Sequence, residues 1–165
     1  MKHNPPDPYI VPIFFDSCAF DPSDSQENEA SYELKNNTRF DISISGSVKK
    51  EMLNPNAPFD IRNQAINGEN NTPRQFDMSN CDEYIKGKIL EIITGNGKKE
   101  NMVKDAKHIY TSHHRGGYFV TTDKKLIKRR DQLYDIPINC IILLPSELLT
   151  IVERFDERNR LSGDY

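Results

Sequence analysis

Tyr9-Ile10-Val11-Pro12-Ile13-Phe14-Phe15-Asp16 is a dense apolar run closed by a carboxylate, and Gly117-Tyr118-Phe119-Val120-Thr121-Thr122-Asp123 repeats the device late in the chain. Short, unbroken apolar runs of this kind mark strands buried on both faces of a parallel sheet, with Pro12 as the one discordant residue. In α/β folds the C-terminal ends of such strands face the ligand crevice. Asp16 and Asp123 are therefore expected to anchor a site.

Working outward, residues 40–44 alternate at period two and predict a second short strand, and residues 138–144 predict another buried one. Residues 25–36 are polar with sparse apolar positions and predict a marginal helix. Ser45 is placed to cap a short helix over residues 45–53 that carries Glu51. Ile85, Ile89, Ile92 and Ile93 recur at helical spacing up to Gly95-Asn96-Gly97, which ends that helix. A further helix is expected over residues 100–111, with Met102, Val103, Ala106, Ile109 and Tyr110 as its buried stripe and Asp105 at the stripe's edge. Thr122 or Asp123 caps a helix after the Tyr118 strand, and Pro145 suits the first turn of a last helix over residues 146–155. This alternation predicts a single α/β domain over residues 1–155, a three-layer α/β/α sandwich around a mainly parallel sheet, followed by a charged, frayed tail over residues 156–165.

Bulk properties narrow the function classes. The chain has 165 residues, 36% of them hydrophobic, and a net charge of -3. That balance gives no global pull toward nucleic acid, so such a partner would need a local basic patch. No apolar run approaches the roughly 20 residues that span a bilayer, and the first residues lack the apolar core of a signal peptide, which predicts a cytoplasmic protein without a membrane partner. Cys18, Cys81 and Cys140 are odd in number and in no CxxC arrangement, so they are expected as small core hydrophobes. The polar stretch over residues 54–80 reads as loop or loosely packed helix.

Four acids, Asp16, Glu51, Asp105 and Asp123, each stand where an apolar run stops or a helix face begins. Carboxylates gathered within a few Å repel by several kcal/mol at an effective dielectric of about 20, and a divalent cation relieves that repulsion. Mg²⁺ and Mn²⁺ take oxygen ligands and retain waters, which leaves positions for a phosphate oxygen and an attacking water.

IFFDSCAF, SGSVKKEML, VKDAKHIY, GGYFVTTDKKL and INCIILLPSELL fall in an order that resembles the PIN-domain ribonucleases, the family that includes VapC-type toxins, across nearly the whole chain. The resemblance implies a PIN-like fold with Asp16, Glu51, Asp105 and Asp123 as the acidic positions that hold Mg²⁺ or Mn²⁺. Thr121 would be the hydroxyl of the family's Thr-x-Asp turn, and Ser17 a supporting residue beside Asp16. The implied activity is metal-dependent endonucleolytic cleavage of single-stranded RNA, with an antitoxin protein and a homodimer as implied partners. The chain departs from the family at Lys124, Lys125 and Leu126, where many relatives carry a further acid or amide, and in the longer insert over residues 54–80.

Arg115 before the Tyr118 strand, and Lys124, Lys125 and Lys128 after it, are candidates for holding RNA phosphates, against the plainer reading of solvated helix faces. His113-His114 lacks Cys or His partners at zinc-ligand spacing. Tyr118 and Phe119 read as core, not as base-stacking platforms. The competing functions are a catalytically silent PIN-like module that binds RNA or a protein, a phosphotransferase with Asp16 as nucleophile, and a flap-type DNA nuclease. The second commonly needs an Asp where Cys18 stands, and the third needs a longer chain.

Overall fold

In the computed structural model, which describes residues 5–39, 42–57, 59–67 and 80–162, the first apolar run yields a strand shorter than its sequence. This strand, β1 (Ile13–Phe15), starts directly after Pro12, which has no N–H to offer a ladder. Tyr9 and Ile10 instead form a turn, in which the Tyr9 hydroxyl donates to Asp156 Oδ1 and the Arg39 guanidinium lies over the Tyr9 ring. The other strands are β2 (Ile42–Ser43), β3 (Tyr118–Val120) and β4 (Ile141–Leu143). All pairings are parallel and the order is β2-β1-β3-β4. Residues 40–41 of the expected second strand lie outside the described residues.

Side chains alternate across this sheet as the two-residue period requires. Ile13, Phe15, Tyr118, Val120 and Leu143 face one core, covered by α1 (Ser17–Phe20), α2 (Ser25–Asn36), α3 (Gly46–Met52), α4 (Phe59–Asn67) and α8 (Pro145–Ser162). Phe14, Phe119 and Ile142 face the other, covered by α5 (Asn80–Thr94), α6 (Val103–Arg115) and α7 (Lys124–Tyr134). Among the described residues the result is an α/β fold with helices on both faces of a four-stranded parallel sheet. Tyr118 and Phe119 are buried in it, as their sequence context predicts. Among the described residues no helix is long and apolar enough to cross a membrane.

Three differences from the sequence reading have physical causes. Part of the polar insert is helical: α4 places Ile61 and Ala65 in the first core, two apolar residues that carry too weak a periodic signal to be read in advance. The last helix does not stop at Phe155 but runs to Ser162, so residues 156–162 are not a frayed tail. Asp156 anchors that extension, accepting from the two terminal guanidinium nitrogens of Arg39 at 2.8 and 2.5 Å as well as from Tyr9. Val103, expected in the buried stripe of α6, is half exposed, because the helix opens with a 3-10 turn over Lys99–Asn101 and Val103 begins the α-helical part on the open side.

The exposed edge at β4 is closed by a side chain. The Tyr134 hydroxyl accepts from the Ile142 amide at 2.8 Å and donates to the Ile142 carbonyl at 3.1 Å, which blunts an edge that could otherwise pair with another chain. Burial pushes that phenol up to about 12.

Candidate metal and nucleic-acid site

The order β2-β1-β3-β4 reverses direction between β1 and β3: the chain leaves β1 toward β2, then returns across the sheet to β3. Crevices at such reversals, outside the carboxyl ends of the strands, are where open α/β sheets bind ligands. Register sets what stands there. Phe15 pairs with Val120, the Asp16 amide donates to the Val120 carbonyl at 2.9 Å, and the Thr121 amide donates to Leu143 at 2.9 Å. Asp16 and Thr121 thus leave adjacent strands side by side.

Asp16 caps α1 through Oδ1, which accepts from the Ser17 amide at 2.9 Å. Its Oδ2 accepts from Thr121 Oγ1 at 2.9 Å and from Cys18 Sγ at 3.3 Å. His108 Nδ1 stands 3.4 Å from Oδ1, longer than a well-formed hydrogen bond. Burial works to raise the Asp16 carboxyl, yet the His108 imidazole together with the Thr121 and Cys18 donors holds it below the ordinary carboxylate range. Burial and the Asp16 charge push the Cys18 thiol up, which keeps it a donor. Cys18 is therefore part of the site and not only a core hydrophobe, while Cys140 is buried as expected; the Cys81 side chain lies outside the described residues.

Thr121 ties the two loops together, since its Oγ1 also accepts from the Asp123 amide at 3.1 Å. Asp123 caps α7, with Oδ1 accepting from the Lys125 amide at 2.7 Å. A capping carboxylate keeps a second oxygen, so capping and ligation are compatible. Glu51, on the last turn of α3, accepts from Ser17 Oγ at 3.0 Å through Oε2 and pairs with Lys104 Nζ at 3.4 Å through Oε1. Ser45 caps that helix through the Val48 amide, as its position predicts.

Asp105, in the first turn of α6, is only partly buried, in keeping with its place at the stripe edge. Burial, then the charges of Asp16 and Asp123 and more weakly Glu51, push its carboxyl above the ordinary carboxylate range, with His108 opposing them. Asp16, Asp123 and Glu51 are thus each within electrostatic reach of Asp105. Among the described residues, however, no three His, Cys, Asp or Glu side chains close into a ready-made metal cage.

A carboxylate whose folded pKa lies above its unfolded one stabilises the fold at low pH and loses that contribution as pH rises through the folded value. Asp105→Asn is therefore expected to raise the unfolding midpoint of the metal-free protein at neutral pH. The gain should shrink as pH falls through the raised folded value toward the ordinary carboxylate range, below which Asp105 is protonated in both states. Thermal unfolding in EDTA from about pH 4 to about pH 8 checks this, and a midpoint at neutral pH equal to or below that of wild type would mean that Asp105 is not under strain from its neighbours.

The basic candidates divide. Lys124 and Lys125 occupy the first turn of α7 next to Asp123, with Lys128 one turn on, and all three are exposed. Arg129 and Arg130 are engaged elsewhere, on the Ile92 carbonyl and on Glu147. Arg115 is not brought to the acids: α6 carries Asp105 in its first turn and runs back to the opening of β3, which places Arg115 about 15 Å along the helix axis from Asp105. Its nearness to β3 in sequence is nearness to the wrong end of the strand. His113 is committed as well, its Nδ1 accepting from the Asn139 amide at 2.8 Å.

His108 and Lys104 have no place in the sequence reading. The signal for His108 was present, because Asp105, His108 and Ser112 recur at helical spacing beside an apolar stripe, and both His108 and Ser112 are buried. Lys104 meets Glu51 only through the packing of α3 on α6, which no local pattern announces.

No protein-family model, curated protein or solved structure matches this chain. The functional reading rests on the residues themselves.

Proposed function

We propose that the chain is a divalent-metal-dependent endoribonuclease of the PIN type that hydrolyses phosphodiester bonds of single-stranded RNA. One observation carries the reading: Thr121 Oγ1 donates to the Asp16 carboxylate and accepts from the Asp123 backbone amide, so the acid-bearing segments that follow two neighbouring strands are tied together at the reversal of the sheet. The donor set fits Mg²⁺ or Mn²⁺, since it is all oxygen and open, and these ions keep several waters instead of filling a protein cage. Asp16, Asp105 and Asp123, with Glu51, would hold the ion, which when bound supplies Lewis-acid polarisation of the phosphate and an activated water.

The chain's own residues prepare that chemistry. Thr121 and Cys18 fix one oxygen of Asp16 and, after His108, help hold its carboxyl below the ordinary carboxylate range against burial. Ser17 orients Glu51, and the exposed Lys104 ammonium offsets part of the local negative charge. Lys124, Lys125 and Lys128 offer an exposed cationic strip that starts beside Asp123 and suits the phosphates of a bound strand.

The competing reading, a catalytically silent PIN-like module for RNA or a protein partner, draws on the same Lys104–Glu51 pair, which already occupies one oxygen of an acid. If the chain is a toxin, a partner antitoxin would set further Arg or Lys side chains against the acids. Incubating a labelled single-stranded RNA with the chain in Mg²⁺, Mn²⁺ or EDTA separates the two readings: metal-dependent cutting supports the nuclease, and binding without cutting supports the module.

Removing the ammonium groups in Lys124→Ala/Lys125→Ala is expected to weaken RNA binding across sequences without changing the fold. The salt dependence should flatten too, because each lost phosphate contact on a single strand lowers the slope of log K against log salt by about 0.7. Fluorescence anisotropy over a salt series reads both effects, and an unchanged slope would place RNA elsewhere.

A further inference from the structure

We infer that His108 is a positioning residue for Asp16, its buried imidazole holding Oδ1 in the orientation from which the carboxylate takes a divalent cation; the inference rests on the metal-site reading above. The side chain is 3% exposed and its Nδ1 faces Asp16 Oδ1 at 3.4 Å. The approach is an electrostatic contact longer than a formed hydrogen bond, and because an ionised carboxylate carries no hydrogen, Nδ1 is the side of it that can supply one.

The geometry around Asp16 gives the contact its purpose. The terminal torsion of an Asp side chain is broad and roughly two-fold, so donors on one oxygen alone leave the plane of the group poorly set. Thr121 and Cys18 fix Oδ2, while Oδ1 has the Ser17 amide, which belongs to the same turn and moves with it. His108 adds a buried polar contact from a different element, α6, on the opposite core. Because Asp105 and His108 stand three residues apart on that helix, they share a face. The histidine therefore ties the helix that carries Asp105 to the strand end that carries Asp16. A buried imidazole carries a desolvation cost that an aliphatic side chain does not, so an imidazole at this position calls for a polar role.

Mn²⁺ binding to the purified full chain, measured by isothermal titration calorimetry beside the unfolding midpoint in EDTA, tests the inference with His108→Asn and His108→Leu. The Asn amide nitrogen falls near the place of Nδ1, whereas Leu has no donor. We expect His108→Leu to bind Mn²⁺ about tenfold more weakly, the low end of what partners of metal-binding carboxylates contribute, and His108→Asn to stay close to wild type. Equal affinity in wild type and His108→Leu would overturn the inference, as would an equal loss in both variants, which would assign the effect to packing. If His108→Leu does not fold, His108→Gln replaces it, since its donor lies one atom further out: Asn retained and Gln weakened supports positioning, and equal affinities overturn it. A wild-type chain that binds no Mn²⁺ would overturn the metal-site reading itself, a result distinct from wild-type binding that the His108 variants share.

Discussion

Asp123→Asn is expected to lower Mn²⁺-dependent cleavage of single-stranded RNA by about 10²–10³-fold, the scale on which a single well-placed electrostatic group contributes to a transition state. The substitution is informative because it separates two roles that the carboxylate combines. Asn is as good an N-cap as Asp, so the bond from the Lys125 amide and the start of α7 should survive, and the unfolding midpoint should stay near that of wild type. What disappears is the charge. Asp16→Asn should be at least as severe for cleavage, but it also disturbs structure. The amide would turn a donor toward either Thr121 and Cys18 or Ser17 and His108, all of which now face a carboxylate that only accepts. A fall in the unfolding midpoint should therefore accompany its loss of activity. Denaturing gels of a labelled RNA with Mn²⁺ and with EDTA, run beside thermal unfolding, distinguish the outcomes. Cutting that survives both substitutions would refute the assigned site and shift the reading toward a partner-binding module.

How much of this arrangement could be seen in the sequence depended on how local each signal was. The helix over Ser25–Asn36 and the caps at Ser45 and Asp123 were legible because each is decided within one turn of chain. The strands were legible as apolar runs but not in extent. Pro12 delays β1, and in the last run the Asn139 amide is spent on His113, so β4 begins only at Ile141. α4 stayed hidden because, among its described side chains, Ile61 and Ala65 alone are in the core, against a polar background.

For the site, the ends of β1 and β3 pointed to Asp16 and Asp123 because a carboxylate closing an apolar run is a local pattern. Arg115 was placed beside them on sequence distance, which does not distinguish the two ends of a strand. Glu51 and Asp105 come to the acids of β1 and β3 through tertiary packing, and beyond the expected Ser17 and Thr121 the side chains around the acids, Cys18, Lys104 and His108, become visible only in the packed fold.

The same close packing of strands gives a stability prediction at a residue that touches none of these acids. Gly117 has φ +90, and a Cβ built there would lie 2.1 Å from the Pro12 carbonyl oxygen, with Pro12 backbone C and N at 3.1 Å. The neighbour cannot yield easily. That carbonyl accepts from the Tyr118 amide at 2.9 Å, and the Gly117 carbonyl accepts from the Ile141 amide at 2.9 Å, so the glycine is held between β1 and β4. Gly117→Ala adds a left-handed conformation that costs about 1–3 kcal/mol to an overpacking term of similar size, about 4 kcal/mol together. Against a typical domain stability of about 5–15 kcal/mol this is a large fraction, and for a chain of this length it lowers the unfolding midpoint by about 10 °C. Gly87 on α5 is the matched control. Nothing lies within 4 Å of a Cβ there, so Gly87→Ala should stabilise by about 0.5–1 kcal/mol through helix propensity alone. Calorimetric or circular-dichroism melts of the two variants should therefore move in opposite directions. If Gly117→Ala melts with wild type, β1 and β3 do not approach as closely at their N-terminal ends as this register requires, and the side-by-side exit of Asp16 and Thr121 at their C-terminal ends loses its support.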